Sequence, residues 1–283
     1  MRHGIVLFTC DRGITPAAAA QAAEERGFDT FYVPEHTHIP VRRAAPHPRT
    51  GSAALPDDRY LRTLDPWVSL ATAAAVTARI GLGTAVALPA ESDPITLAKA
   101  IATLDHLSGG RVTVGAGFGW NTDELADHGV RAGQRRAVLA EYLAAMRALW
   151  TQPEAAYDGK FVSFGPCWAF PKPVQAHLPL IIGAGGGPQT LAWIAQHADG
   201  WLTTPGERDV GAKAAALRQA WAAASRTGTP DIRVLVSSKP SADDVAGWAG
   251  AGVTECLWGL PDGPAGTAEA YLDRLAARVA SWR

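Results

Sequence analysis

The feature that most constrains the fold is an alternation. Eight short apolar runs, each followed by a stretch with helical spacing or helix-capping residues, fill a chain of 283 residues. The runs are Ile5 to Cys10, Thr30 to Val33, Ile80 to Leu88, Arg111 to Phe118, Leu178 to Ile182, Trp201 to Thr203, Ile232 to Val236 and Thr254 to Trp258. Unbroken apolar runs of this length suit strands buried on both faces, the condition of a parallel sheet. Thr15-Pro16, Asp65-Pro66 and Asp93-Pro94 each join a capping side chain to a proline at the first helical position. Gly27 and Gly109-Gly110 supply stops. Further along, Leu139, Tyr142, Leu143, Met146 and Leu149 form the stripe of a helix running to Trp150. Eight βα units over this length predict an α/β fold, a single (β/α)8 TIM barrel with residues 1–283 as one domain. A doubly wound sheet with an odd strand at its edge is the competing architecture.

Three stretches fall outside the alternation. Residues 37–64 are rich in proline and arginine and lack periodicity, which marks a lid or binding loop rather than a plain connection. Residues 119–133 read as a polar loop, and residues 151–176 as an insertion with a hairpin about Asp158-Gly159. A net charge of -1 gives no reason to expect nucleic acid or an acidic membrane surface as partner. No apolar run is long enough to span a bilayer, and the opening Met1-Arg-His-Gly precedes too short an apolar stretch for a signal peptide. Cys10, Cys167 and Cys256 are far apart and odd in number, so a reducing cytoplasm is expected.

In a (β/α)8 barrel the site gathers at the C-terminal ends of the strands. That rule brings together Cys10 and Asp11, Glu35 and His36, residues 86–89, Phe118 to Asn121, Gly183 to Gly187, Thr203 and Thr204, Ser237 and Ser238, and Gly259. Gly183-Ala184-Gly185-Gly186-Gly187 links an apolar strand to Pro188 at the start of a helix. Bare amides and the positive end of a helix dipole there suit an anion, most often a phosphate; a tight ligand-free turn is the alternative. This is not a Walker loop, since no Gly-Lys-Ser/Thr follows. Gly115-Ala-Gly117-Phe118-Gly119-Trp120 departs from a dinucleotide fingerprint and reads better as close approach of a flat ring, or as a glycine-rich buried strand. His36 is the acid/base candidate, with Glu35 to orient it or to cap a turn. His36 and His38 lack a third ligand, so no metal is expected. Trp120, Trp168 and Phe170 are candidates to wall an apolar pocket, or to pack an insertion on the barrel.

Several runs together resemble the luciferase-like flavin and deazaflavin oxidoreductases, the bacterial luciferase superfamily. They are Ala22 to Asp29, Val33-Pro-Glu-His36, Gly83 to Pro89, Asp93 to Arg111, Gly115 to Asn121, and the Gly183 loop with Ala198-Asp-Gly-Trp201. The run Pro34 to Pro40 is most similar to the branch of probable coenzyme F-420-dependent enzymes. The resemblance implies a coenzyme F-420 (8-hydroxy-5-deazaflavin) cofactor, with FMN as the alternative. Gly183 to Gly187 would hold its phosphate. Ala85, Val86 and Ala87 would form a bulge with a non-prolyl cis peptide behind the ring, and Gly117, Phe118 and Gly119 would line it. His36 would move a proton. The family's sugar-phosphate dehydrogenases carry a glutamate where Trp120 stands, which argues against sugar-phosphate oxidation. The resemblance further implies a small organic substrate and a homodimer. If FMN is the cofactor, a separate reductase would feed a two-component monooxygenase; a flavin-binding protein without turnover is a further alternative.

Overall fold

The computed structural model of the protein describes residues 1–261 and 263–282; residues 262 and 283, inside the expected single domain, lie outside them. Eight parallel strands close into a barrel: β1 (Arg2–Val6), β2 (Thr30–Val33), β3 (Gly81–Thr84), β4 (Val112–Gly117), β7 (Leu180–Gly183), β8 (Gly200–Leu202), β9 (Asp231–Val236) and β10 (Glu255–Gly259). Neighbours follow chain order, with β1 closing on β10 in the register Arg2↔Glu255 to Val6↔Gly259. The competing open sheet is thereby replaced by the barrel. The helices are α1 (Pro16–Glu25), α2 (Pro66–Val76), α3 (Pro94–Ser108), α4 (Thr122–Asp127), α5 (Arg135–Thr151), α6 (Pro188–His197), α7 (Val210–Ala223), α8 (Ala242–Gly250) and α9 (Ala265–Ala280). Thr15, Asp65 and Asp93 accept amide hydrogen bonds at the starts of α1, α2 and α3, ahead of their first-turn prolines.

Helices and strands share one large apolar layer, which includes Phe31, Leu82, Val114, Ile182 and Ile232 from the strands. A second cluster fills the barrel interior: Val6, Tyr32, Ile181, Leu202 and Leu257, with Ala85, Val86 and Leu235 against it. At the N-terminal end lies a buried polar layer. Arg233, 3 % exposed in its side chain, pairs with Glu255 at 3.2 Å and with Asp231 at 2.6 Å, and donates to the Tyr32 hydroxyl. Glu255 also accepts from Thr30 at 2.5 Å.

Three expectations shift, and the hairpin forms where it was expected. The first strand is Arg2–Val6, not Ile5 to Cys10, because Arg2 reaches Asp231 and Glu255 at the barrel base and its polarity hid the strand start. The third strand stops at Thr84; Ala85–Val86 is a cis peptide, and pairing resumes only as an Ala87↔Ala116 bridge. The expected polar loop at 119–133 contains α4, whose carboxylates are used within the site. The hairpin forms as β5 (Ala155–Asp158) and β6 (Ser163–Cys167), antiparallel, with Asp158 opposite Ser163. Among residues 37–64 the regular structure is one 3-10 turn, Asp58–Arg62.

Candidate active site

The mouth is built around the backbone that leaves β3. Ala85 N–H bonds the Val33 carbonyl and Ala87 N–H bonds the Gly115 carbonyl, each at 2.8 Å, so the chain bulges between two strands it stays tied to. Glu35 fastens the bulge. Its backbone N–H donates to the Val86 carbonyl at 3.0 Å, and its carboxylate accepts from Leu88 N–H at 2.6 Å. Burial pushes the Glu35 carboxyl up to about 7, against the opposing pull of that amide. Glu35 therefore holds the floor of the mouth; it is not the residue that orients His36.

That residue is Glu124 of α4. His36 Nδ1 lies 2.8 Å from Glu124 Oε2, and the two side chains are 7 % and 0 % exposed. Glu124 also accepts from Thr37 N–H at 2.9 Å and from Asn121 Nδ2 at 3.2 Å. Burial works to raise the Glu124 carboxyl, but the bond and charge of His36, with the Thr37 amide, outweigh it and hold it low. A carboxylate facing Nδ1 fixes the proton there and leaves Nε2 to accept or donate. Sequence reasoning missed Glu124 because it lies 88 residues from His36. Its signal was a glutamate three residues after Asn121, inside a stretch read as loop.

The lid closes on this pair with aromatic side chains. Trp120 meets His36 edge-on at 5.6 Å and His47 at 4.8 Å, and His47 Nε2 bonds the Tyr60 hydroxyl at 3.0 Å. Tyr60 packs 5.6 Å from His36 and 4.7 Å from Phe8. Burial, then the charges of Arg49, His36 and Arg43, lower the His47 imidazole, which favours the neutral ring. Asp123 anchors the lid further by accepting Ala44 and Ala45 N–H, each at 2.8 Å. Trp120 thus stands at the site. Trp168 and Phe170 do not: they are 78 % and 59 % exposed on the strap that follows β6.

The glycines of β4 and β7 answer to protein neighbours rather than to a ring. A Cβ at Gly115 would sit 1.9 Å from the Thr84 carbonyl oxygen. Cβ atoms at Gly117 and Gly183 would lie 2.7 and 2.5 Å from the two methyls of Val86, and one at Gly119 (φ 71°) would strike Leu125. Val86 is therefore wedged between Gly117 and Gly183, with the bulge facing the mouth. Phe118 turns away: its ring packs on Trp193 at 4.9 Å under the Arg136 guanidinium, so only its backbone can face the mouth.

The Gly183–Gly187 turn is partly committed. Ala184 N–H bonds the Leu202 carbonyl, Gly187 N–H the Gly185 carbonyl, and the Ala184 carbonyl takes Trp201 Nε1 at 2.7 Å. Gly186 must be glycine because the Trp201 indole and the Lys213 stem lie 2.7 and 2.8 Å from where its Cβ would be. Gly187 faces open space, and a Cβ at Gly185 would only touch Glu207 Oε2, at 3.9 Å. Beside them the Glu207 carboxylate accepts from Thr204 Oγ1 at 2.6 Å and pairs with Lys213. Burial would raise Glu207, but Lys213, Thr204 and the Gly186 amide hold it low. A carboxylate, a lysine and the Gly186 amide are thus already gathered at the turn. Among the described residues no cluster of three or more His, Cys, Asp or Glu side chains is arranged to hold a metal ion, and no helix is long and apolar enough to cross a membrane.

A family model described as luciferase-like monooxygenase matches residues 15–277. The uncharacterized protein Rv0953c of Mycobacterium tuberculosis is 65% identical over 280 residues, covering 99% of both chains. An F420-dependent glucose-6-phosphate dehydrogenase of Beutenbergia cavernae is 32% identical over 227 residues, 78% of this chain and 62% of that one. Among solved structures, the monooxygenase RslO1 from Streptomyces bottropensis superposes with a TM-score of 0.75 at 20% identity, covering 98% of each chain. An F420-dependent secondary alcohol dehydrogenase in complex with an F420-acetone adduct gives 0.72 at 14% identity, over 96% of this chain and 97% of that one. At these identities the two superpositions speak for the fold alone.

Proposed function

The chain belongs to the luciferase-like monooxygenase family, and on that premise we propose that it is an oxidoreductase that carries a deazaflavin coenzyme, coenzyme F-420, across the barrel mouth and exchanges a hydride with a small organic substrate. The observation that carries this reading is the pairing, at one mouth, of the Val86 bulge with an open glycine turn beside Lys213. The residues present fit the group. Gly185 and Gly187 leave room that a Cβ would narrow, and Lys213 supplies a cation within the same turn. Bound there, the coenzyme would supply the carbon that gives or takes the hydride.

The chain's own residues would do the rest. Lys213 and the Gly185 and Gly186 amides would hold the phosphate, at the cost of displacing Glu207. The Val86 bulge, pinned by Glu35, would set the depth of the ring. His36, with Nδ1 held by Glu124, would move the substrate proton at Nε2. Tyr60, His47 and Trp120 would keep water from the pocket. The wall they form is aromatic, which favours a partly apolar substrate. The glucose-6-phosphate dehydrogenase among the relatives supports the coenzyme more than the sugar, because the family resemblance sets Trp120 where the sugar-phosphate dehydrogenases carry a glutamate.

A second reading, an FMN-dependent monooxygenase fed by a separate reductase, is favoured by the family model's description as luciferase-like monooxygenase. Titrating the purified protein with coenzyme F-420 and with FMN decides between them. The deazaflavin should bind at least tenfold more tightly; tight FMN with no deazaflavin binding rejects the first reading, and oxygen uptake with reduced FMN establishes the second. We also propose a homodimer. Lys99 of α3 donates to the Phe170 carbonyl and the Val174 amide donates to Asp105, so the strap bearing Trp168, Phe170 and Val174 is tied to α3, which also carries exposed Ile95 and Leu107. An apolar face of this kind is what a second copy would cover.

A further inference from the structure

Behind His36 three carboxylates converge from three segments: Glu35 after β2, Glu91 in the turn after β3, and Glu124 in α4. They are 7 %, 5 % and 0 % exposed. Three buried carboxylates beside one imidazole cannot all carry charge, since each ion taken from water needs a partner. The hydrogen bonds say which one is ionised. Glu124 receives donors from His36, Thr37 and Asn121. Glu35 receives the Leu88 amide. Glu91 has the Thr37 hydroxyl at 3.5 Å, and its Oε1 is buried without a partner among the described residues. An ionised Glu91 would leave that oxygen bare. A protonated one carries a donor of its own, and Glu124 beside it is an acceptor.

We propose that Glu91 is a positioning residue held as a neutral carboxylic acid, donating its proton to Glu124 and through Glu124 fixing His36 for proton transfer. This rests on the reading of His36 as the group that moves the proton. Burial, followed by the charges of Glu124 and Glu35 and the bond to Glu124, pushes the Glu91 carboxyl up, while the same bond helps to hold Glu124 down. With Glu91 neutral, one carboxylate faces one imidazole. Ionising it would set two negative charges side by side and break the bond they share. The surrounding titratable groups are engaged elsewhere: His38 with Asp127 at 2.9 Å, His128 with the Thr37 hydroxyl at 2.8 Å, and Asp65 acts on Glu35.

Glu91→Gln keeps a donor toward Glu124 and mimics the neutral acid, whereas Glu91→Leu removes the donor. Three readouts on the free protein test the idea. Infrared spectra at about pH 8, above the Glu35 carboxyl at about 7, should show a protonated-carboxyl stretch in the wild type that Glu91→Gln lacks. Stability should follow the proton. The unfolded side chain ionises in the usual carboxylate range, whereas the folded one stays protonated well above it. The folded state therefore binds more protons between the two, and stability falls as pH rises through that window. The folding constant of the wild type relative to Glu91→Gln should drop by up to roughly tenfold per pH unit from about pH 5 upward. Finally, the low-field NMR signal of the His36 Nδ1 proton should persist in Glu91→Gln and be lost in Glu91→Leu. Absence of the infrared band, a pH-independent stability difference, or an unchanged Nδ1 signal in Glu91→Leu would overturn the proposal. If the leucine variant does not fold, the first two readouts decide it. None of these measurements uses a coenzyme, so a failure of the deazaflavin reading leaves their outcome intact.

Discussion

Replacing Gly183 with alanine tests whether Val86 is truly wedged. The new Cβ would sit 2.5 Å from Val86 Cγ1, inside the 3.0 Å that real Cβ contacts respect. Val86 cannot swing aside freely. Its side chain is β-branched and stiff about χ1, and its other methyl already lies 2.7 Å from where a Cβ on Gly117 would be. Nor can the bulge retreat, since Ala85 and Ala87 are tied to β2 and β4 at 2.8 Å each. Overpacking of this kind costs about 1–3 kcal/mol, which lowers the melting temperature by roughly 2–4 °C for each kcal/mol in a domain of this size class. Val86→Ala removes both methyls. In that background Gly183→Ala should cost less than about 0.5 kcal/mol, leaving a coupling energy of about 1–3 kcal/mol between the two sites. Urea unfolding of the four proteins measures the cycle. Coenzyme titration of the same four proteins reads the site: Gly183→Ala alone should weaken binding about tenfold, the equivalent of ~1.4 kcal/mol, by driving Val86 into the mouth. If Gly183→Ala is as stable as the wild type, or its cost is the same with and without the Val86 methyls, the wedge does not exist and the reasoning fails.

Three further outcomes are expected. Glu207→Gln should tighten binding of FMN and of inorganic phosphate by about tenfold, because an anion entering the turn no longer has to displace a carboxylate that accepts charge-assisted bonds; equal or weaker binding in isothermal titration would place the phosphate elsewhere. Arg233→Met should cost about 3–5 kcal/mol in chemical denaturation by leaving the fully buried Glu255 with only the exposed Arg2 as its cation, and Arg233→Met with Glu255→Leu should recover most of it; a cost under about 1 kcal/mol would show the pair to be dispensable. Leu107→Asp with Trp168→Asp should halve the mass measured by light scattering without lowering the melting temperature of the barrel; an unchanged mass would refute the proposed dimer face on α3.

The barrel and much of its mouth could be read directly from the residue order. Buried parallel strands must be apolar throughout, helices must carry caps and stripes, and both demands act over a few neighbouring residues. That is why the eight units, the hairpin and the 37–64 lid could be located, whereas the bulge position at Ala85–Val86 came from the family resemblance. Local rules also suffice to mark His36 and the glycine turn as chemistry.

What they could not supply was the identity of each partner. Glu124, 88 residues away, and not adjacent Glu35, holds His36, because the segments after β2 and β4 meet across the short β3 between them while hydrogen bonding turns Glu35 toward Leu88. Gly117 and Gly183 look ready for a ligand in one dimension; folded, they admit Val86. Trp168 and Phe170 look like pocket walls, but the strap carries them onto α3 and into solvent. Only the ring of strand ends decides which side chains meet, since contacts across it join segments that share no local period.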